Sequence, residues 1–128
     1  MADYALNGAL QGSEMIPRKI LAYDVGCQYD VNLSTRFTNQ FPETNIEGLK
    51  VLVGKMHAQG HVSECQWRRS FNYTPKVGRM DGEEAERLWA EINQVAGSTK
   101  YMSPGHRDDT LDDSFCDWNR RKMQNLGK

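Results

Sequence analysis

Apolar positions change spacing several times along the chain, and each change marks an element. Tyr4, Leu6, Ala9 and Leu10 fall within residues 3–11 and predict a short helix, broken by Gly12-Ser13 and Pro17. Lys19 to Asp24 follows with Ile20, Leu21, Ala22 and Tyr23 almost continuous. A continuous apolar run of this length predicts a strand buried on both faces, as in a parallel sheet. Residues 28–40 predict a helix, with Val31, Leu33, Phe37 and Phe41 loosely on one side. Pro42 to Gly48 reads as a loop, and Leu49 to Lys55 as a second, β-branched strand.

Residues 66–80 read as a loop or irregular arm. Asp81 to Ala96 is the strongest helical pattern: Ala85, Leu88, Trp89, Ile92, Val95 and Ala96 keep helical spacing. Asp81 suits the N-cap with Glu84 completing a capping box, and Gly97 suits the end. Residues 98–109 read as loop, with a turn at Pro104-Gly105. A last helix opens at Thr110, carries Leu111, Phe115 and Trp118, and ends in Arg120, Arg121 and Lys122, cations that suit a helix C-terminus. Two strands are too few for an independent α/β core. Either strands lie hidden in the apparent loops or the chain is part of a larger domain.

Bulk properties narrow this only in part. The 128 residues make one domain at most. The hydrophobic share of 38% and mean hydropathy of -0.73 are polar for a compact domain. A net charge of -1 gives no global pull on nucleic acid, so any such attraction is local. No apolar run is long enough for a membrane span. Met1-Ala2-Asp3-Tyr4 has an acid and no basic start, so no secretory signal is expected. Three cysteines, Cys27, Cys65 and Cys116, form no obvious disulfide framework, and with nearby histidines they fit metal binding in a reducing compartment.

Three constellations carry chemistry. Asp24 ends the first strand, and Glu83, Glu84 and Glu86 open the strongest helix. Carboxylates from such elements can converge on a divalent metal for phosphodiester chemistry. The plainer alternatives are a turn residue at Asp24 and acids that complement a helix dipole. On a helical wheel Glu83 points away from the apolar face, while Glu84 and Glu86 flank it. The second constellation is His57-x-x-x-His61-x-x-x-Cys65. On an unbroken helix Cys65 lies about 12 Å along the axis from His57, too far for one ion, so joint ligation needs a turn, which Gly60 allows. Cys27 is a candidate fourth ligand for zinc, and the alternative is a partly buried polar cluster. Third, Trp67, Arg68, Arg69, Tyr73, Lys76 and Arg79 mix aromatics with cations, the composition of a surface that stacks bases and meets phosphates. The alternative there is a solvated basic loop with core-anchoring aromatics. Trp89 and Trp118 are expected in the core, and Cys116 is expected to be a packed thiol.

Several blocks occur in order: Asp3-Tyr4-Ala5-Leu6, Tyr23-Asp24-Val25-Gly26-Cys27-Gln28-Tyr29, Lys55-Met56-His57 through Cys65, Asn72-Tyr73-Thr74, Gly78-Arg79-Met80-Asp81-Gly82-Glu83, Glu86-Arg87-Leu88-Trp89-Ala90, and Gly105-His106-Arg107 through Asp113, then Trp118-Asn119. On these the chain resembles the Kyakuja-Dileera-Zisupton (KDZ) transposases. The resemblance implies an α/β, RNase H-like catalytic core with an Asp-Asp-Glu metal triad. It implies that Asp24 is the second carboxylate and Glu83 the third, with Glu86 the rival. Nothing matches the first, since Asp3 precedes a helix. The expected fold is therefore a partial RNase H-like core over residues 1–128, two core strands with flanking helices. Its first three strands would lie upstream of Met1, and residues about 55–80 would form a His/Cys-containing insert.

The expected function is that of a fragment of a DDE-type DNA transposase, nuclear, acting on transposon ends and target DNA. Mg2+ or Mn2+ is expected at the carboxylates and Zn2+ at the His/Cys cluster, with no activity from this chain alone because the first Asp is missing. The alternatives are a non-enzymatic zinc-binding nuclear module that binds nucleic acid, or a degenerate transposon remnant.

Overall fold

In the computed structural model, which describes residues 1–126, two short strands frame the first half of the chain. β1 (Lys19–Ala22) and β2 (Leu49–Leu52) pair in parallel, with Lys19 opposite Leu49 and Ala22 opposite Leu52. Around them lie α1 (Ala2–Leu10), α2 (Gly26–Tyr29), α3 (Leu33–Gln40), α4 (Lys55–Ala58) and α5 (Ser63–Arg68). The result is a mixed fold, a two-stranded parallel sheet flanked by helices. The chain divides into two compact units, Met1–Glu83 and the residues from Glu84 onward. The last two residues of the expected 1–128 domain lie outside the described residues.

β2 divides the core of the first unit. Val51 packs with Leu6, Leu10, Leu33 and Phe37 from α1 and α3. Leu52 packs instead with Phe71 and Val77. Alternating side chains of one strand thus serve two faces, as the period of a β-strand requires. Gly26, at the start of α2, sits so close to β2 that a Cβ there would come within 3.0 Å of Val51 Cγ1 and 3.2 Å of the Leu52 carbonyl. This close approach holds the turn after Asp24 against the sheet.

The expected helix over 28–40 is two helices, because Asn32 adopts a left-handed conformation (φ 57°) between α2 and α3. The 66–80 segment is more ordered than an arm. It opens inside α5, and then Ser70 forms a parallel bridge with Val53 while the Val53 N–H donates to the Arg69 carbonyl at 2.9 Å. Phe71 and Val77 are buried.

The second unit is a helical pair, α6 (Glu84–Thr99) and α7 (Pro104–Gln124). α6 starts after Asp81, and Gly97 lies within it rather than ending it. α7 begins at Pro104, before the expected Thr110. Ser103 caps it, accepting from the His106 N–H, and proline is well suited to the first helical position. Glu84 pairs with Lys122, and Glu91 with Arg121 at 2.6 Å, so the start of α6 lies beside the end of α7. Trp89 is 50% exposed, and Cys116 is exposed as well, so neither is the core residue the sequence suggested.

Candidate metal centres

Both strands deliver their C-terminal ends to one place. The Tyr23 N–H donates to the Leu52 carbonyl at 2.9 Å, continuing the ladder by one bond, and Asp24 comes next. After β2, Gly54 leads into α4, which carries His57. The segment Asp81-Gly82-Glu83 docks alongside: the Lys55 N–H donates to the Asp81 carbonyl at 2.9 Å. Asp81 Oδ1 accepts from the Glu83 N–H at 3.0 Å, so the Asp that looked like a helix cap instead shapes a tight turn. Gly82 makes that turn with φ +77° and lies against the Phe71 ring, where a Cβ would collide.

This turn aims Glu83 inward. Its Oε1 accepts from the Met56 N–H at 2.8 Å, and its Oε2 lies 3.2 Å from His57 Nδ1. His57 Nε2 lies 3.4 Å from Asp24 Oδ2. The two carboxylates, far apart in sequence, therefore face the two nitrogens of one imidazole. Glu83 is largely enclosed, its side chain 13% exposed, while that of Asp24 is 56% exposed and open to a ligand. Gly54 leaves room for the Glu83 carboxylate, which a Cβ there would push aside. Glu86 lies on the first turn of α6, in the second unit.

A second set of donors lies behind the first. Cys27 on α2 places Sγ 3.5 Å from His61 Nδ1, and His61 Nδ1 is 3.3 Å from Cys65 Sγ on α5. All three donor atoms lie within 4.8 Å of one another, so the group can hold a metal ion. The helix that carries His57 ends at Ala58, and the turn through Gly60 lets His61 face the thiols while His57 faces the carboxylates. The four expected ligands thus divide: Cys27, His61 and Cys65 come together, and His57 joins the acids. Burial pushes the Cys65 thiol above its ordinary range, and the adjacent Cys27 adds to this.

Asp3 takes no part in either centre. It lies on α1, where Arg36 Nε donates to its Oδ2 at 2.9 Å and Nη2 to its Oδ1 at 3.2 Å. These bonds hold its carboxyl below the ordinary range. Burial, with Asp3 close by, pushes the Tyr29 phenol up to about 12.

The aromatic and basic residues separate too. Trp67 and Tyr73 stack at 4.4 Å between ring centroids, both more than half exposed. Arg68 is exposed and pairs with Glu64 at 3.0 Å. Arg69 turns inward, where its Nη1 meets Asp30 Oδ2 at 2.5 Å and the Val51 carbonyl at 3.2 Å. It ties α5 to the end of α2 and to β2. Lys76 and Arg79 are exposed, and Lys76 joins Arg18, Lys19 and Lys50 around a cavity of about 430 Å³. That cavity lies at the opposite, N-terminal end of the strands. Sequence reasoning missed it because its cations come from three separate segments with no local cluster.

A family model described as KDZ: Kyakuja-Dileera-Zisupton transposase matches residues 1–119. The chain belongs to the KDZ transposase family. No curated protein and no solved structure matches it. Membership supports a transposase-related function, and both donor groups fall within the part of the chain that matches the KDZ family. No helix among the described residues is long and apolar enough to cross a membrane.

Proposed function

We propose that residues 1–83 are the portion of an RNase H-like, DDE-type transposase core that bears its second and third carboxylates, Asp24 and Glu83. The observation that carries this reading is their approach to the same imidazole from two sides, 3.4 Å and 3.2 Å away. Both carboxylates offer oxygen, the donor a hard divalent cation takes, and Asp24 is open to solvent; the His57 ring fills the space between them, so joint ligation requires that ring to move aside. When bound there, magnesium or manganese supplies charge that stabilises phosphoryl oxygens and ionises water.

The chain's own residues prepare that place. Gly54 makes room for Glu83, the Met56 N–H fixes one of its oxygens, and His57 sits between the acids and sets their separation. Glu86 is the alternative third carboxylate. The first carboxylate is unassigned, since Asp3 on α1 is held by Arg36 of α3. The partners are DNA, transposon ends and target, and the compartment is the nucleus. Trp67 and Tyr73 offer base-stacking faces, and Arg68, Lys76 and Arg79 offer phosphate contacts. Arg69 is left out of this set because its guanidinium is engaged by Asp30 and Val51.

A nicking assay on the full chain with Mg2+ or Mn2+ tests the catalytic part. Two of three carboxylates give no cleavage above buffer. Robust cleavage abolished by Asp24→Ala would overturn the requirement for a further Asp. Separately, weakened binding of single-stranded DNA in Trp67→Ala and Tyr73→Ala is expected, and unchanged binding in both removes them from the interface.

A further inference from the structure

We propose that Cys27, His61 and Cys65 form a zinc site with three protein ligands, and that it staples the segment behind Asp24 to the segment behind His57. The donor chemistry is that of zinc, two thiols and one imidazole nitrogen, all within 4.8 Å. The three come from three separate segments: α2, the turn after α4, and α5. Each is partly buried, which suits a site shielded from bulk water yet reachable by an ion.

Bonds outside the trio already hold its geometry. Gln66 Nε2 donates to the His61 carbonyl at 2.7 Å, fixing the turn that presents the ring. The Arg69–Asp30 pair at 2.5 Å joins the end of α5 to the end of α2, so Cys65 and Cys27 face each other. The Gly60 N–H donates to the His57 carbonyl at 3.0 Å, and the His61 N–H to the Ala58 carbonyl at 3.1 Å, closing α4 just before His61. These contacts arrange the donors without metal, so ion binding costs little ordering of the chain. His61 presents Nδ1 to both sulfurs.

The consequence follows from chain connectivity. Asp24 leads into α2, which carries Cys27, and His57 leads through one short turn to His61. A metal that joins Cys27 to His61 therefore fixes the spacing of Asp24 from His57. Metal binding itself is independent of the transposase reading. The positioning role rests on it.

The test uses the full chain purified under reducing conditions, loaded with zinc and dialysed, with metal content measured directly. One zinc per chain is expected. Cys27→Ser, Cys65→Ser and His61→Ala each lose it, and Cys116→Ser, on exposed α7, keeps it. Cobalt in place of zinc is expected to give thiolate charge-transfer bands that shrink in either single cysteine variant, a readout that works even where a variant is less stable. Folded, metal-free wild-type chain overturns the site, as does a Cys27–Cys65 disulfide in its place or zinc retained by Cys27→Ser. Asp24→Asn and Glu83→Gln are expected to keep zinc. Loss of zinc in the cysteine variants together with unchanged Mn2+ binding at the carboxylates would leave the site standing and remove its positioning role.

Discussion

Phe37, Phe71 and Val53 are the largest fully buried side chains, and all three precede Glu84. From Glu84 onward, α6 buries Ile92 and Thr99, α7 buries nothing fully, and the helices are laced by Glu84–Lys122 and Glu91–Arg121 pairs. The first unit is held by packing around a parallel ladder and concentrates its polar donors at the strand ends. The second spreads its charges along helix faces. A buried frame lets a few acids, thiols and imidazoles be held at fixed separations. A helical pair held by exposed charges keeps its shape through many small terms, each open to salt.

The largest expected effect lies in the packed unit. Phe37→Ala, at a side chain only 1% exposed, is expected to cost about 3–5 kcal/mol in urea unfolding followed by circular dichroism. Glu91→Gln, which breaks an exposed pair with Arg121, is expected to cost less than about 1 kcal/mol, and that cost should shrink in high salt. Equal losses from the two substitutions would break the comparison.

Next in size is Gly54→Ala. The backbone there is ordinary (φ -54°), so the effect is steric: the new methyl displaces Glu83. Mn2+ affinity is expected to fall about tenfold or more, in the range for disturbed support of a metal ligand, with little change in helix content. Undiminished binding would mean that Glu83 is not a ligand.

The smallest effect is alkaline. The Tyr29 phenol is raised in the folded chain to about 12 from an ordinary 10.0. Its contribution to stability is therefore complete below pH 10 and is lost as pH rises toward 12. Unfolding midpoints measured across that window are expected to fall more steeply in the wild type than in Tyr29→Phe. Parallel curves would contradict the shift.

The two strands were legible as short apolar runs before Asp24 and Gly54, but the burial of the first on both faces was not borne out, since Ile20 and Ala22 of β1 are exposed. The split of the His/Cys set was not. The spacing of His57 and His61 puts both on one face only if the helix continues, and it stops at Ala58. The docking of Glu83 on α4 was hidden from the wheel for a similar reason. A wheel started at Asp81 assumes helix through Gly82, whose positive φ delays α6 to Glu84 and frees Glu83 to dock on α4. The early start of α7 was concealed because Ser103-Pro104-Gly105 reads equally as a turn and as a capped helix start. Arg69 could not be told from Arg68 by composition, since only the fold places Asp30 beside it.

The central claim is that Asp24 and Glu83 serve one divalent ion, which takes the place of the His57 ring between them. It is tested most directly by Mn2+ titration of the zinc-loaded full chain, followed by electron paramagnetic resonance, in the wild type, Asp24→Asn, Glu83→Gln and the double variant. A shared ion predicts that each single substitution weakens binding and that the double variant loses little more than either one. Binding unaffected by both substitutions, or losses that multiply as for two separate sites, would contradict it.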